Sequence, residues 1–262
     1  MRVSIKTIML AQTRHARICA LLEDRRELTT QALQAELGVS AATLRRDLAQ
    51  LERIGRLGRT HGGVVHPEAL IGEQSFARKA RTATAAKLSI ARHAAKLVPA
   101  GATVFIDAGT TTLELGRLLL SRADLRIYTN SMPLLHEHGA REAQLTAIGG
   151  EVREVSRALV GALALSWLRQ LRFDIVALGA SGLHPSDGAS TTELGEAAVK
   201  QTLIERGRRI LLLTDASKWN HPAPICFVPW SQINDWVTDH LPARPELAAL
   251  RKAGVTHHLA TR

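Results

Sequence analysis

The sequence predicts a small helical domain with a β-wing, followed by a larger α/β domain on a mostly parallel sheet. Three observations carry that prediction. Leucines recur at helical spacing between residues 14 and 51, and a glycine-centred hairpin pattern follows at 56–65. From about residue 83, short β-branched or leucine-rich runs alternate with amphipathic helical runs. The 262 residues are 45% hydrophobic, enough to bury a sizeable core. The predicted organisation is a winged helix-turn-helix over 1–66, a linker over 67–82 containing Pro67 and Gly72, and an α/β domain over 83–262.

Ile18, Leu21 and Leu22 fall at i, i+3 and i+4 on a first helix. Thr29 offers an N-cap hydroxyl to a short second helix marked by Leu33 and Leu37, and Gly38 suits the left-handed position that ends it. Ser40 caps a third helix, whose Leu44, Leu48 and Leu51 form a core stripe. Two helices joined by the tight Gly38-Val39-Ser40 turn make a helix-turn-helix.

The outward face of the third helix carries Ala42, Arg45, Arg46 and Ala49. Ala41, Ala42 and Thr43 are small enough to let the helix start approach a major groove, where the helix dipole favours phosphate. Arg45 and Arg46 have the reach for guanine edges or phosphate oxygens, and Asp47 is expected to orient a neighbouring arginine. Residues 56–65 read as a hairpin, the wing, with Arg59 and His61 along the phosphate backbone or minor groove. The plain alternative is a three-helix bundle with a solvated arginine face.

Formal net charge is +10, and +5 of it lies in residues 1–66. A basic balance of this size suits nucleic acid, phosphate ligands or an anionic membrane surface, or serves solubility alone. Its density at the N-terminal end favours double-stranded DNA as the partner there.

In the second part, strands are expected at 103–107, 125–129, 144–149, 174–180, 209–214 and 235–238, with helices at 85–97, 112–121, 160–171 and 193–206. In an open parallel sheet the ligand crevice lies outside the carboxyl ends of the strands. Small polar residues recur at those ends. Asp107 and Gly109 precede Thr110, Thr111 and Thr112 at a helix start, a place for an anion or simply an N-cap with idle threonines. Thr129-Asn130, Gly149-Gly150 with Arg153, and Gly179 follow later strands, and Lys218 ends the run 214–218. Lys218 has charge for a phosphate, Asp107 and Asn130 have groups for sugar hydroxyls, and Lys200 is placed to point in from the side. Either lysine is otherwise a solvated surface residue.

No Walker loop, G-x-G-x-x-G turn, H-E-x-x-H, G-x-S-x-G or C-x-x-C occurs. His136 and His138 fall on different helix faces, and His257-His258 sit in what reads as a loose tail, so neither a metal nor a cofactor is expected. Cys19 and Cys226 read as buried free thiols. Trp219, Trp230 and Trp236 read as packing for a sheet edge or subunit contact. The first residues lack a signal-peptide pattern, and no run approaches a membrane span, so a soluble cytoplasmic protein is the expectation.

Residues 14–66 resemble the N-terminal domain of the DeoR family of sugar-metabolism regulators, through the segment Val39 to Leu48 and the run Arg59-Thr60-His61-Gly62-Gly63. Leu44 stands where the family usually has isoleucine, and Glu27 where it often has glycine. Further matching pieces are the run Asp107 to Thr111, Thr129-Asn130, Ile148-Gly149-Gly150, Val160-Gly161, Asp174 to Gly179, Ala198-Val199-Lys200 and Asp215 to Lys218, so the resemblance spans about residues 14–240. It implies a sensor domain similar in fold to ribose-5-phosphate isomerase. It also implies a repressor of carbohydrate catabolism, released from its operator by a phosphorylated sugar or polyol, acting as a homodimer or homotetramer. The run Asp187 to Ser190 falls in a loop that varies in the family. Two other readings stay open. One is a sugar-phosphate isomerase using Asp107, Asp187 or Glu193 as base beside Lys200 or Lys218; the other is a DNA-binding architectural protein with no ligand.

Overall fold

A computed structural model of the chain describes residues 10–60, 62–66, 73–137 and 142–261. The chain divides into two compact units, Met1–Gln74 and Ser75–Arg262.

The first unit runs α1 (Ala11–Arg25), β1 (Glu27–Thr29), α2 (Thr30–Leu37), α3 (Ala41–Arg53), β2 (Gly58–Thr60) and β3 (Gly63–Val65). Its core is the leucine set read from the spacing: Ile18, Leu22, Leu33 and Leu44 are wholly buried, and Leu21, Leu48, Leu51 and Val64 pack with them. The caps form as the sequence indicates. Thr29 Oγ1 accepts from Ala32 N at 3.1 Å, and Ser40 Oγ accepts from Thr43 N at 3.2 Å. Gly38 ends α2 with φ +63°, the left-handed value that favours glycine. The wing has three antiparallel strands in the order β1-β3-β2 rather than two. β1 has only three residues, with Leu28 buried between exposed Glu27 and Thr29.

The second unit begins with α4 (Phe76–Arg81), which lies within the stretch read as linker, and α5 (Thr84–Ala95). There follow β4 (Thr103–Ile106), α6 (Thr110–Leu119), β5 (Arg126–Thr129), α7 (Met132–His136) and β6 (Gln144–Ala147). Next come the hairpin β7 (Glu151–Arg153) and β8 (Ala158–Val160), α8 (Gly161–Leu168), β9 (Phe173–Leu178), β10 (Gly182–His184) and β11 (Gly188–Thr191). The remainder is α9 (Leu194–Arg206), β12 (Gly207–Leu213), β13 (Ile225–Val228), β14 (Asp235–Thr238), α10 (Arg244–Lys252) and β15 (Thr256–Leu259).

Seven strands form one all-parallel sheet in the order β15-β14-β12-β9-β4-β5-β6. Strand periodicity sorts its side chains into two cores. Val104, Ile106, Ile175, Ala177, Leu211, Leu213 and Val237 meet α5 and α6 on one face. Phe105, Val176, Leu178, Ile210, Leu212 and Trp236 meet α8, α9 and α10 on the other. The chain moves outward from β4 through β5 to β6, then returns to lay β9 on the other side of β4. That reversal makes a topological switch between β4 and β9, the place where open parallel α/β sheets form their ligand crevice.

Four expectations are corrected. The run Asp187 to Ser190 is not simply a loop, because Gly188–Thr191 is the middle strand of an antiparallel sheet, β10-β11-β13. His257 and His258 are in β15, paired with Trp236 and Val237, and Ser89 Oγ on α5 donates to Thr261 O at 2.7 Å, so the segment is docked rather than loose. Cys19 is half-buried and Cys226 exposed; both are free, but neither is a core thiol. The three tryptophans pack on one another beneath β14, with Trp219 and Trp236 stacked at 5.1 Å, inside the core rather than at a sheet edge. No helix among the described residues is long and apolar enough to cross a membrane.

Candidate nucleic-acid interface and anion site

On α3 the leucine stripe faces the core, and Ala41, Ala42, Arg45, Arg46 and Ala49 are exposed on the far side, with Thr43 half-buried beside Ser40. Among the described residues Arg45 and Arg46 make no ion pair, so both guanidiniums are available to an anionic partner. Asp47 belongs to the buried face. It accepts from Arg14 Nε at 2.7 Å and Nη2 at 3.0 Å, and lies 3.1 Å from His15 Nε2. The arginine it orients is thus on α1, 33 positions away. Burial pushes the Asp47 carboxyl up, but the Arg14 and His15 hydrogen bonds prevail and hold it below the usual carboxylate range. On the wing, Arg59 sits 3.6 Å from Glu52 of α3, which aligns β2 with the exposed helix face. His61, the other wing candidate, lies outside the described residues.

In the second unit the candidate residues separate into two groups. Asp107, Thr112, Thr129, Asn130 and Lys200 form a buried polar network at the switch point, none more than 3% exposed. Lys200 Nζ donates to Asp107 Oδ2 and, at 3.0 Å, to Gly179 O. Asp107 Oδ2 also accepts from Gly179 N at 3.2 Å. Asn130 Oδ1 accepts from Ala108 N at 2.7 Å, and Thr129 and Thr112 hydroxyls donate to Ile106 O and Asp107 O, each at 2.6 Å. The network joins the ends of β4, β5 and β9 to α9. Burial pushes the Asp107 carboxyl above the usual range against the pull of the Lys200 ammonium.

The second group lies at the same ends of the strands and is less buried. Gly109 and Thr110 are half-buried, and Thr111 is 7% exposed. Gly109 begins α6 with no side-chain cap, so the first-turn N–H groups of Thr110, Thr111 and Thr112 have no partner from a capping side chain. Gly179 is half-buried at the end of β9. Lys218 ends the short 3₁₀ turn after β12, half-buried, and among the described residues its ammonium makes no ion pair. Its turn is held by Asp215, whose carboxylate accepts from Ser217 N at 3.0 Å.

Gly149, Gly150 and Arg153 go elsewhere. Gly150 has φ +123°, and a Cβ there would stand 2.4 Å from Val160 O, so the pair serves the turn into the β7–β8 hairpin. Arg153 Nη1 donates to Glu196 Oε1 at 2.9 Å, and Nε lies 3.8 Å from Glu193. Glu193 caps α9 by accepting from Gly195 N and Glu196 N. A residue absent from the sequence-based set is Lys87 on α5. It is 4% exposed, and the charges of Asp215, Lys218, Glu114 and Lys79 act on it. Inside an amphipathic helix its spacing does not distinguish it from a surface lysine. Among the described residues no group of three or more His, Cys, Asp or Glu side chains is placed to hold a metal.

Comparison with known proteins bears on both units. Residues 14–69 match the DeoR-like helix-turn-helix domain, and residues 82–240 match the DeoR C-terminal sensor domain. The chain is 32% identical to the HTH-type transcriptional regulator GlpR of Haloferax volcanii, over 95% of this chain and 97% of that protein. It is also 32% identical to the glycerol-3-phosphate regulon repressor of Escherichia coli, over 94% of this chain and 96% of that protein. Among solved structures, a ribose 5-phosphate isomerase A from Methanocaldococcus jannaschii is similar over 51% of this chain and 53% of its own, at 19% identity and a TM-score of 0.38.

Proposed function

From the premise that this chain belongs to the DeoR family of DNA-binding transcription regulators, we propose that it is a repressor of a carbohydrate-catabolism operon, released by a phosphorylated sugar or polyol. The observation that carries the effector half is Lys218. A half-buried ammonium with no counter-ion stands at the carboxyl ends of the strands, at the same end of the sheet as the uncapped start of α6. A phosphate monoester matches both features, since its oxygens accept from backbone N–H groups and its charge pairs with the lysine. The relatives named for the glycerol-3-phosphate regulon make a three-carbon polyol phosphate the first compound to try.

The DNA half rests on Arg45 and Arg46, exposed and unpaired on the helix that follows the tight turn. Two half-sites are expected, and hence a homodimer or homotetramer, because one module of this size covers one major-groove segment. We read the chain as a regulator without catalysis. The base best placed for an isomerase, Asp107, has Lys200 and Gly179 N–H on its carboxylate inside the core.

The test is to select bound sequences from random duplex DNA, then titrate sn-glycerol 3-phosphate, other sugar phosphates and inorganic phosphate into the complex. A defined sequence with two-fold symmetry, released by one ester, is the expected result. Binding without sequence preference, or aldose–ketose turnover by the purified protein, overturns the proposal.

A further inference from the structure

Lys87 has a local geometry that no part of the DNA-binding or strand-end machinery described above requires. Its ammonium is buried and donates to two backbone carbonyls, Lys79 O and, at 2.6 Å, Thr82 O. Those carbonyls lie at the C-terminal end of α4, which carries partial negative charge, and Lys79 O also accepts from Thr82 N at 3.3 Å and Thr82 Oγ1 at 3.0 Å. Among the described residues no carboxylate stands within ion-pair distance of Lys87, and burial pushes its ammonium below the usual lysine range. An ammonium has three donors, and two are used here.

The surroundings point to what would take the third. Lys87 lies in the first turn of α5, the helix that packs beside α6 over the sheet. Because α5 leads into β4, its first turn is at the carboxyl end of the strands. The charges that act on Lys87 come from Asp215 and Lys218 after β12, Glu114 on α6, and Lys79 on α4. Lys87 and Lys218, the carboxylates of Asp215 and Glu114, and the uncapped turn of α6 therefore gather around one end of the sheet.

We propose that Lys87 is a further cation of the effector site, and that it ties a bound phosphate monoester to α4. This rests on the effector reading given above. An anion beside Lys218 supplies the counter-ion that the buried ammonium lacks and accepts its third hydrogen bond. The ammonium is then held between ligand and helix, and the carbonyls of Lys79 and Thr82 are held with it. α4 is the first element after the DNA-binding unit in the chain, so its order is the property through which occupancy passes along the backbone. Linkage makes the relation reciprocal: fixing the end of α4 tightens the anion, and binding the anion fixes the end of α4.

Calorimetry and amide exchange on the full chain test this, with sn-glycerol 3-phosphate, ribose 5-phosphate and inorganic phosphate as probes. The best-binding probe is expected to slow exchange of the Lys79 and Thr82 amides about threefold or more, and Lys87→Met to weaken that probe about tenfold and abolish the slowing. Lys87→Arg, which keeps charge and donors, is expected to retain part of both effects. If Lys87→Met binds the probe as the wild type does, or α4 exchange in the wild type is unmoved at saturation, the inference fails while the effector reading stands. If no probe binds the wild type, both fail together. Should Lys87→Met not fold, the wild-type exchange measurement decides alone.

Discussion

Arg14 on α1 grips Asp47 on α3 with two hydrogen bonds, at 2.7 and 3.0 Å, from beneath the face that carries Arg45 and Arg46. The two side chains are 12% and 7% exposed, so the pair is largely withdrawn from water. Removing the carboxylate takes two charge-assisted hydrogen bonds from Arg14 and a further contact from His15. Asp47→Ala is expected to destabilise the N-terminal unit by about 3 kcal/mol, read from urea unfolding. An unchanged midpoint would show that water replaces the carboxylate without loss.

The same pair sets an acid limit. Asp47 is held below its usual range in the folded chain, so its ionised form stabilises the unit above the unfolded value of about 3.9. That contribution is lost as pH falls through the lower folded value. Stability of the N-terminal unit is therefore expected to decline below about pH 4, and Asp47→Asn to flatten that part of the profile. Parallel profiles for the two proteins would place the acid sensitivity elsewhere.

Arg45 and Arg46 have no ion-pair partner to lose among the described residues. Arg45→Ala is expected to weaken operator binding by about 1–3 kcal/mol and to relax preference at one base position if the guanidinium reads a base edge. An equal loss on random DNA, with a salt slope smaller by about one, identifies a phosphate contact instead. Quantitative band shifts at several salt concentrations separate the two.

Lys218→Ala is expected to leave operator affinity intact and to weaken the effector about tenfold, since one charge-assisted contact is removed. A variant that responds to the effector as the wild type does would take Lys218 out of the pocket.

Lys200 and Asp107 behave as a couple. Asp107→Ala alone is expected to cost about 3–5 kcal/mol, because it leaves a buried ammonium with no counter-charge. Asp107→Leu combined with Lys200→Leu is expected to cost less than either single change. Thermal unfolding of the three variants gives the comparison, and additive losses would argue against a shared pair.

Much of this architecture is legible from local pattern. The five interior strands, β14, β12, β9, β4 and β5, read as apolar runs because a parallel sheet covered on both faces buries most of their side chains. The third helix is legible because Ser40, the leucine stripe and Arg45–Arg46 all lie within 12 positions. What escapes local reading is long-range pairing. Nothing near His257 shows that β15 will find β14, and Gly188–Thr191 lacks the alternation of an exposed strand because all four residues are buried. The site divides the same way. The threonine run and Lys218 can be found as motifs, whereas the bond from Lys200 to Asp107 spans 93 positions and turns two apparent ligand contacts into internal structure. Lys87 becomes visible only when α4 folds beneath it.

The contact from Ser89 to Thr261 has a consequence for synthesis. The N-terminal unit assembles its core from residues 18–64, all made before the first strand of the large sheet. The sensor sheet waits for β14 and β15, and α5 gains its Ser89 partner only when residue 261 emerges. On a ribosome, domains fold as their residues appear. A nascent chain therefore holds a finished DNA grip for nearly two hundred residues of translation while the part that answers to metabolites is still incomplete.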